Sequence, residues 1–207
     1  MKTKMNLPNR LTVARMLLTP VCVAVIMIRG YEWSALLGAL LFFLISLTDM
    51  LDGKIARKRG LVTDFGKFLD PLADKTLVLG AYLALIFREA GNDVWLLSLV
   101  LLTLITLFRE FAVSSVRLIT SSKQGIVVAA NIYGKLKTVL QIVFVIAFLI
   151  EPTVMRLVAS LFSSAVPCIL YTVPPVATLS AVLCLICTVF SGAVYLKSYW
   201  PYISAEK

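Results

Sequence analysis

Apolar stretches of about 20 residues recur along this chain, and a run of that length and character has few folds open to it. Inside a bilayer every backbone polar group needs a partner within the protein, so such a run crosses as a helix. Six spans are expected, at about 11–28, 33–57, 63–88, 94–119, 131–150 and 175–195. Residues 1–10, with Lys2, Lys4 and Arg10 around Leu7 and Pro8, read as a short interfacial lead-in. Residues 120–125 read as a polar connection, and 152–173 as a loop or a short interfacial helix. At 60% hydrophobic residues over 207 positions, six spans leave no room for a separate soluble domain. The expected fold is an all-α integral membrane protein, one domain over 1–207.

Charge sets the orientation. With the N-terminus inside, only Arg29, Arg88 and Arg156 of the 20 lysines and arginines fall at outer ends. This bias puts both termini on the cytoplasmic side. The net charge of +9 flanks apolar spans and forms no basic groove interleaved with aromatics, so it suits a membrane surface and not nucleic acid. The chain contains no histidine, which removes histidine bases and histidine metal ligands. Cys22, Cys168, Cys184 and Cys187 lie in apolar segments and read as small buried hydrophobes, despite the CxxC of the last two. The first apolar run lacks a small-residue cleavage site, so a cleavable leader is not expected.

Against this apolar background, five of the six aspartates fall between positions 49 and 74. An acid at the bilayer centre costs about 2.5–3.5 kcal/mol, so such a cluster demands compensation. Asp49 and Asp52 are one helical turn apart on span 2, and Asp70 and Asp74 are one turn apart on span 3, so each pair shares a face. Brought together by the short turn between the spans, the two faces give four carboxylates around one pocket. Oxygen ligands of this kind favour magnesium, manganese or calcium over zinc, and a two-ion clamp suits displacement at phosphorus. Gly53 and Ala56 leave space beside the acidic face, Arg57 offers a forked donor to phosphate, and Gly66 permits close approach of the two helices. Asp64 reads as a helix cap or a solvated loop carboxylate. Near the start of span 1, Asn9, Thr12 and Arg15 share one face, either as an N-cap followed by a snorkelling arginine or as ligand contacts.

The pattern D-x2-D-G-x2-A-R-x8-G-x3-D-x3-D, from Asp49 to Asp74, resembles the signature of the CDP-alcohol phosphotransferases at every fixed position. The resemblance implies transfer of a phosphatidyl or similar group from a CDP-linked donor to an alcohol, with release of CMP. It makes Asp49, Asp52 and Asp70 ligands of a dinuclear magnesium site, manganese being the alternative. Asp74 becomes a further ligand or the base for the acceptor hydroxyl. Gly53, Ala56 and Arg57 resemble the positions that accept cytidine and diphosphate, with Gly66, Asn9, Thr12 and Arg15 as further contacts for CDP-diacylglycerol. It also implies a homodimer.

Outside that signature, NLPNRLTVAR at 6–15, REFAVSSVR at 109–117 and NIYGKLKTVLQ at 131–141 look like the bacterial branch that makes phosphatidylglycerol phosphate. The acceptor implied is sn-glycerol 3-phosphate, at the cytoplasmic face of a bacterial inner membrane. Arg109 and Arg117 stand about two turns apart, and Lys135 or Lys137 projects from the next span, so these cations are candidates for the acceptor phosphate. Arg109 paired with Glu110 or Glu89 is the structural alternative. Inositol phosphate, serine or phosphatidylglycerol are the competing acceptors. A cation pathway is the reading from a different class; it needs acids along a route through both leaflets, and none is expected in the outer half to complete one.

Overall fold

The computed structural model describes residues 6–59, 64–124, 132–162 and 174–204, and these are helical apart from short turns. The helices are α1 (Leu7–Met27), α2 (Glu32–Arg59), α3 (Asp64–Arg88), α4 (Asp93–Gln124), α5 (Ile132–Phe162) and α6 (Pro175–Ser204). The chain is a multi-pass, all-α membrane protein. Stretches long and apolar enough to cross a bilayer lie at Asn9–Met27, Asp93–Arg117, Ile132–Leu161 and Pro175–Tyr199. In α2 the apolar part is shorter, Trp33–Asp49, because charge enters at Asp49. In α3 it begins only after Lys75.

Several boundaries differ from those the sequence suggests. Asn6 is the N-cap of α1 and Pro8 sits in its first turn, where a missing N–H costs nothing, so the lead-in is already helical from Leu7. The expected connection at 120–125 is helical as far as Gln124; its residues are polar, but the first helix breaker is Gly125. Helix α5 continues through Pro152 to Phe162, so the first part of the stretch expected as a loop or a short interfacial helix over 152–173 extends α5 instead, and residues 163–173 lie outside the described ones. A membrane helix tolerates such a proline when neighbouring groups take up the freed backbone.

Packing arranges the six helices as a ring of neighbours in the order α1, α2, α5, α6, α4, α3 and back to α1. The aspartate-bearing α2 and α3 touch each other only sparingly, because α1 lies between them. Two glycines allow this insertion. A Cβ on Gly38 of α2 would stand 2.7 Å from Ile26 Cγ1, and one on Gly80 of α3 would stand 2.9 Å from Val23 Cγ2. Where lipid tails are as apolar as the protein, close backbone approach of this kind holds helices together. Inside the ring, Tyr82 meets Phe144 edge-on at 5.7 Å between ring centres, and Trp95 meets Phe148 at 4.9 Å, tying α3 and α4 to α5.

One end of the ring gathers the start of α1, α3 and α5 with the finish of α2, α4 and α6. The opposite end is closed by local capping. Arg88 Nη1 donates to the carbonyls of Ile26 at 3.1 Å and Ile28 at 2.9 Å, satisfying the end of α1. An acid lies in that half: Glu151 is buried, 7% exposed. Its two oxygens accept the N–H groups of Val176 at 2.9 Å and Ala177 at 2.7 Å, so it caps α6 and completes no ion route. Cys22 and Cys184 are buried free thiols and Cys187 is a half-buried one; Cys168 lies outside the described residues.

Gly38→Val and Gly80→Val each push α1 off a neighbour. Thermal unfolding in detergent should show a loss of about 1–3 kcal/mol for either, the usual cost of overpacking. Wild-type melting in both would remove the glycines from the account of the ring.

Candidate functional site

At the first end of the ring, polar side chains link α1 to α2 and α3, α3 to α4, and α4 to α5 and α6. Asn9, Thr12 and Arg15 lie on the buried face of α1, at 7%, 1% and 1% exposure. Arg15 therefore does not snorkel, and Asn9, already within the helix, is not its cap. Both follow from the insertion of α1 between α2 and α3. Arg15 Nη1 donates to Asp49 Oδ1 of α2 in a salt bridge. Thr12 Oγ1 donates to Asp70 Oδ1 of α3 at 2.7 Å. Arg15 and Thr12 of α1 thus link Asp49 of α2 to Asp70 of α3, two helices that touch each other only sparingly.

Asp74, half-buried, lies within electrostatic reach of Asp49, Lys137, Arg15 and Lys75. Lys75 Nζ donates to Ser114 Oγ of α4, and Ser114 Oγ donates in turn to the Glu110 carbonyl at 2.6 Å. The Glu110 carboxylate accepts from Arg109 Nη1 at 3.0 Å and from Lys137 Nζ of α5. Arg117 Nε donates to Tyr195 Oη of α6 at 2.8 Å, with its guanidinium 5.2 Å from the centre of that ring. Arg109 and Arg117 are both close enough to Lys75 for their charges to act on it.

The cations proposed from the sequence are therefore divided. Arg109 and Lys137 meet at Glu110, and Arg117 is steered by Tyr195. Lys137 is buried, at 4% exposure, whereas Lys135, two residues earlier and on roughly the opposite face of α5, is exposed. Gly66 is buried at the start of α3. Asp52, Gly53, Ala56 and Arg57 fall in the last turns of α2, where the backbone is helical and the side chains lie outside the described ones. The side chain of Asp64, the first residue of α3, also lies outside them.

The sequence did not single out Ser114 and Tyr195, which accept hydrogen bonds from Lys75 and Arg117. A signal for Ser114 exists, since it stands one turn beyond Glu110 and one turn short of Arg117. Tyr195 looks like one more interfacial aromatic at the end of a span.

Among the described residues no three carboxylates or thiols are grouped tightly enough to cage an ion. The donor chemistry nevertheless fits a hard divalent cation: Asp49, Asp70 and Asp74 offer carboxylate oxygens at one end and the chain has no histidine.

A family profile described as CDP-alcohol phosphatidyltransferase matches residues 5–171, which include the whole aspartate pattern and all three outer motifs. The chain belongs to that family. Among curated relatives, it is similar to CDP-diacylglycerol–glycerol-3-phosphate 3-phosphatidyltransferase of Bacillus subtilis (strain 168), 37% identical over 207 residues covering 94% of this chain and 95% of the relative. It is also similar to the enzyme of that name in Rickettsia prowazekii (strain Madrid E), 40% identical over 150 residues, 72% of this chain and 77% of the relative. A third, from Rickettsia bellii (strain RML369-C), is 45% identical over 117 residues, 56% of this chain and 60% of the relative. The family anticipated from the aspartate spacing is thus the family of the chain.

Asp49→Asn removes a charged partner of the buried Arg15 guanidinium. In chelator-treated protein it should lower stability by about 1–3 kcal/mol, below the range for a fully buried pair because Asp49 is partly exposed. Adding Arg15→Met should recover most of that loss in thermal unfolding. A double variant no better than Asp49→Asn would mean that the pair does not act as a unit.

Proposed function

We propose that this protein transfers the phosphatidyl group of CDP-diacylglycerol to sn-glycerol 3-phosphate, giving phosphatidylglycerol phosphate and CMP. One observation carries the reading: the acidic face of Asp49, Asp70 and Asp74 and the cations Lys75, Arg109, Arg117 and Lys137 occupy the same end of the ring, linked through α1 and α4. A donor diphosphate and an acceptor phosphate need those two halves side by side. The names of the curated relatives support the same acceptor.

Asp49, Asp52, Asp70 and Asp74 would hold two magnesium ions, or manganese in their place. Bound there, the ions supply positive charge that offsets the diphosphate and the departing CMP. Helix α2 continues through Gly53, Ala56 and Arg57 in register with Asp49, so these residues accept the cytidine and diphosphate, and Gly66, Asn9, Thr12 and Arg15 line the donor side. Arg109, Arg117 and Lys137 bind the acceptor phosphate, Lys135 adding charge at the exposed edge. Held there, the acceptor hydroxyl gives its proton to Asp74. The resulting oxygen attacks the phosphorus that bears the diacylglycerol, and the bond to the CMP oxygen breaks with its electron pair leaving on CMP. The positive-inside bias supports a cytoplasmic site in a bacterial inner membrane, and the family resemblance supports a homodimer.

The test is purified protein with CDP-diacylglycerol, magnesium and a panel of alcohols, read as CMP release and lipid product. Glycerol 3-phosphate should give phosphatidylglycerol phosphate; CMP release with serine or an inositol phosphate and not with glycerol 3-phosphate would overturn the acceptor. Asp74→Asn should cut kcat by about a hundredfold or more while CDP-diacylglycerol binding is partly kept. Full turnover in that variant would remove Asp74 from the mechanism. Arg117→Ala should raise KM for glycerol 3-phosphate about tenfold, the worth of one charge-assisted hydrogen bond, with KM for the donor little changed. Equal effects on both substrates would argue against an acceptor-specific role.

A further inference from the structure

Glu110 sits at the centre of the cationic half of the site. Its carboxylate receives Arg109 Nη1 from its own helix and Lys137 Nζ from α5, while its carbonyl receives Ser114, which holds Lys75. We propose that Glu110 is the positioning residue of the acceptor site: it fixes Arg109 and Lys137 as a pair that keeps one positive charge uncompensated for a phosphate to meet. This rests on the reading that the acceptor carries a phosphate.

Charge and donor geometry both lead there. Two cations share one carboxylate, so the cluster is left with a net positive charge in a site where Lys137 is nearly sealed from solvent. Burying charge without full compensation is costly, and an incoming anion relieves that cost. Glu110 engages one N–H of each partner, whereas an arginine and an ammonium group each carry several. Arg109 Nε is buried and finds no hydrogen-bond partner among the described residues. Room beside Arg109 is also kept by Gly192, where an added Cβ would stand 3.2 Å from Arg109 Cγ, and by Gly134, where it would stand 3.8 Å from Nη2. The carboxylate thus aims both cations without exhausting them. Through Ser114, the same turn of α4 sets Lys75 beside Asp74, so acceptor phosphate and acceptor hydroxyl are referred to one frame.

The experiment is steady-state kinetics of the full-length protein in detergent with magnesium, varying CDP-diacylglycerol and glycerol 3-phosphate separately. Glu110→Gln keeps size and an accepting oxygen and loses the charge; KM for glycerol 3-phosphate should rise about tenfold or more, with KM for the donor changed less than about twofold. In a Lys137→Gln background the same substitution should have a severalfold smaller effect, because Glu110 acts through that lysine. An unchanged acceptor KM, an equal rise in both KM values, or an undiminished effect without Lys137 overturns the positioning role. If Glu110→Gln does not fold, Glu110→Asp carries the test: it keeps the charge and shortens the reach, and acceptor KM should still rise severalfold while donor KM does not. Wild-type protein that turns over only a phosphate-free alcohol fails the functional reading before any variant is made. Wild-type use of glycerol 3-phosphate with an indifferent Glu110→Gln fails the positioning role alone.

Discussion

A guanidinium with no solvent around it must be neutralised by its neighbours, and much of this protein follows from how Arg15 meets that demand. The counter-charge comes from Asp49 on α2, which draws α1 against α2. One turn earlier, Thr12 holds Asp70 on α3. Helix α1 is therefore the wedge that joins the two acidic helices, and glycines at 38 and 80 let it come close to both. A membrane bundle gains little from burying apolar surface against apolar surface, so close packing and a few polar links decide which helices become neighbours.

The two ends of the ring treat their charges in opposite ways. At the end that carries Arg88, several charges are used up locally: Arg88 on the carbonyls that finish α1, Arg29 over the Phe87 ring at 4.6 Å, and Glu151 on the first N–H groups of α6. These contacts close helix ends. At the other end like charges also stand near one another, Asp49 within the field of Asp74 and Arg109 and Arg117 within that of Lys75, beside the Arg15–Asp49 and Lys137–Glu110 pairs. Charge that a fold leaves unbalanced in a low-dielectric setting is held ready for a ligand of the opposite sign.

Much of this was legible in the sequence, and the reasons differ by residue. The spacing of Asp49, Asp52, Asp70 and Asp74 carries its own geometry, since residues a turn apart share a helical face whatever surrounds them. Arg109, Lys137 and Glu110 stood out because charge within an apolar span is costly enough to need a purpose. The wedge of α1 was not legible. Periodicity tells which face of a helix is buried, not which helix covers it, and the short α2–α3 turn suggested a closer contact than the sparse one that the packing contains. The long reach of α4 and α5 was hidden for a related reason: polar residues and a single proline read as breaks, although neither stops a helix that has neighbours to support it.

The separation of Lys135 from Lys137 bears on the proposed acceptor side. Both lysines belong to one short motif and carry the same charge, yet only Lys137 turns into the ring, where Glu110 receives it and Asp74 and Arg109 lie within its field. Lys135 faces outward, where solvent and salt weaken a charge over about 10 Å. A phosphate is attracted by both, but only a buried, oriented donor fixes where the rest of the molecule lies. Attraction to the membrane surface is therefore a property of the whole basic end of this protein, whereas in the proposed reaction placement of a hydroxyl beside Asp74 would depend on the few cations that a carboxylate and a serine of α4 hold in place.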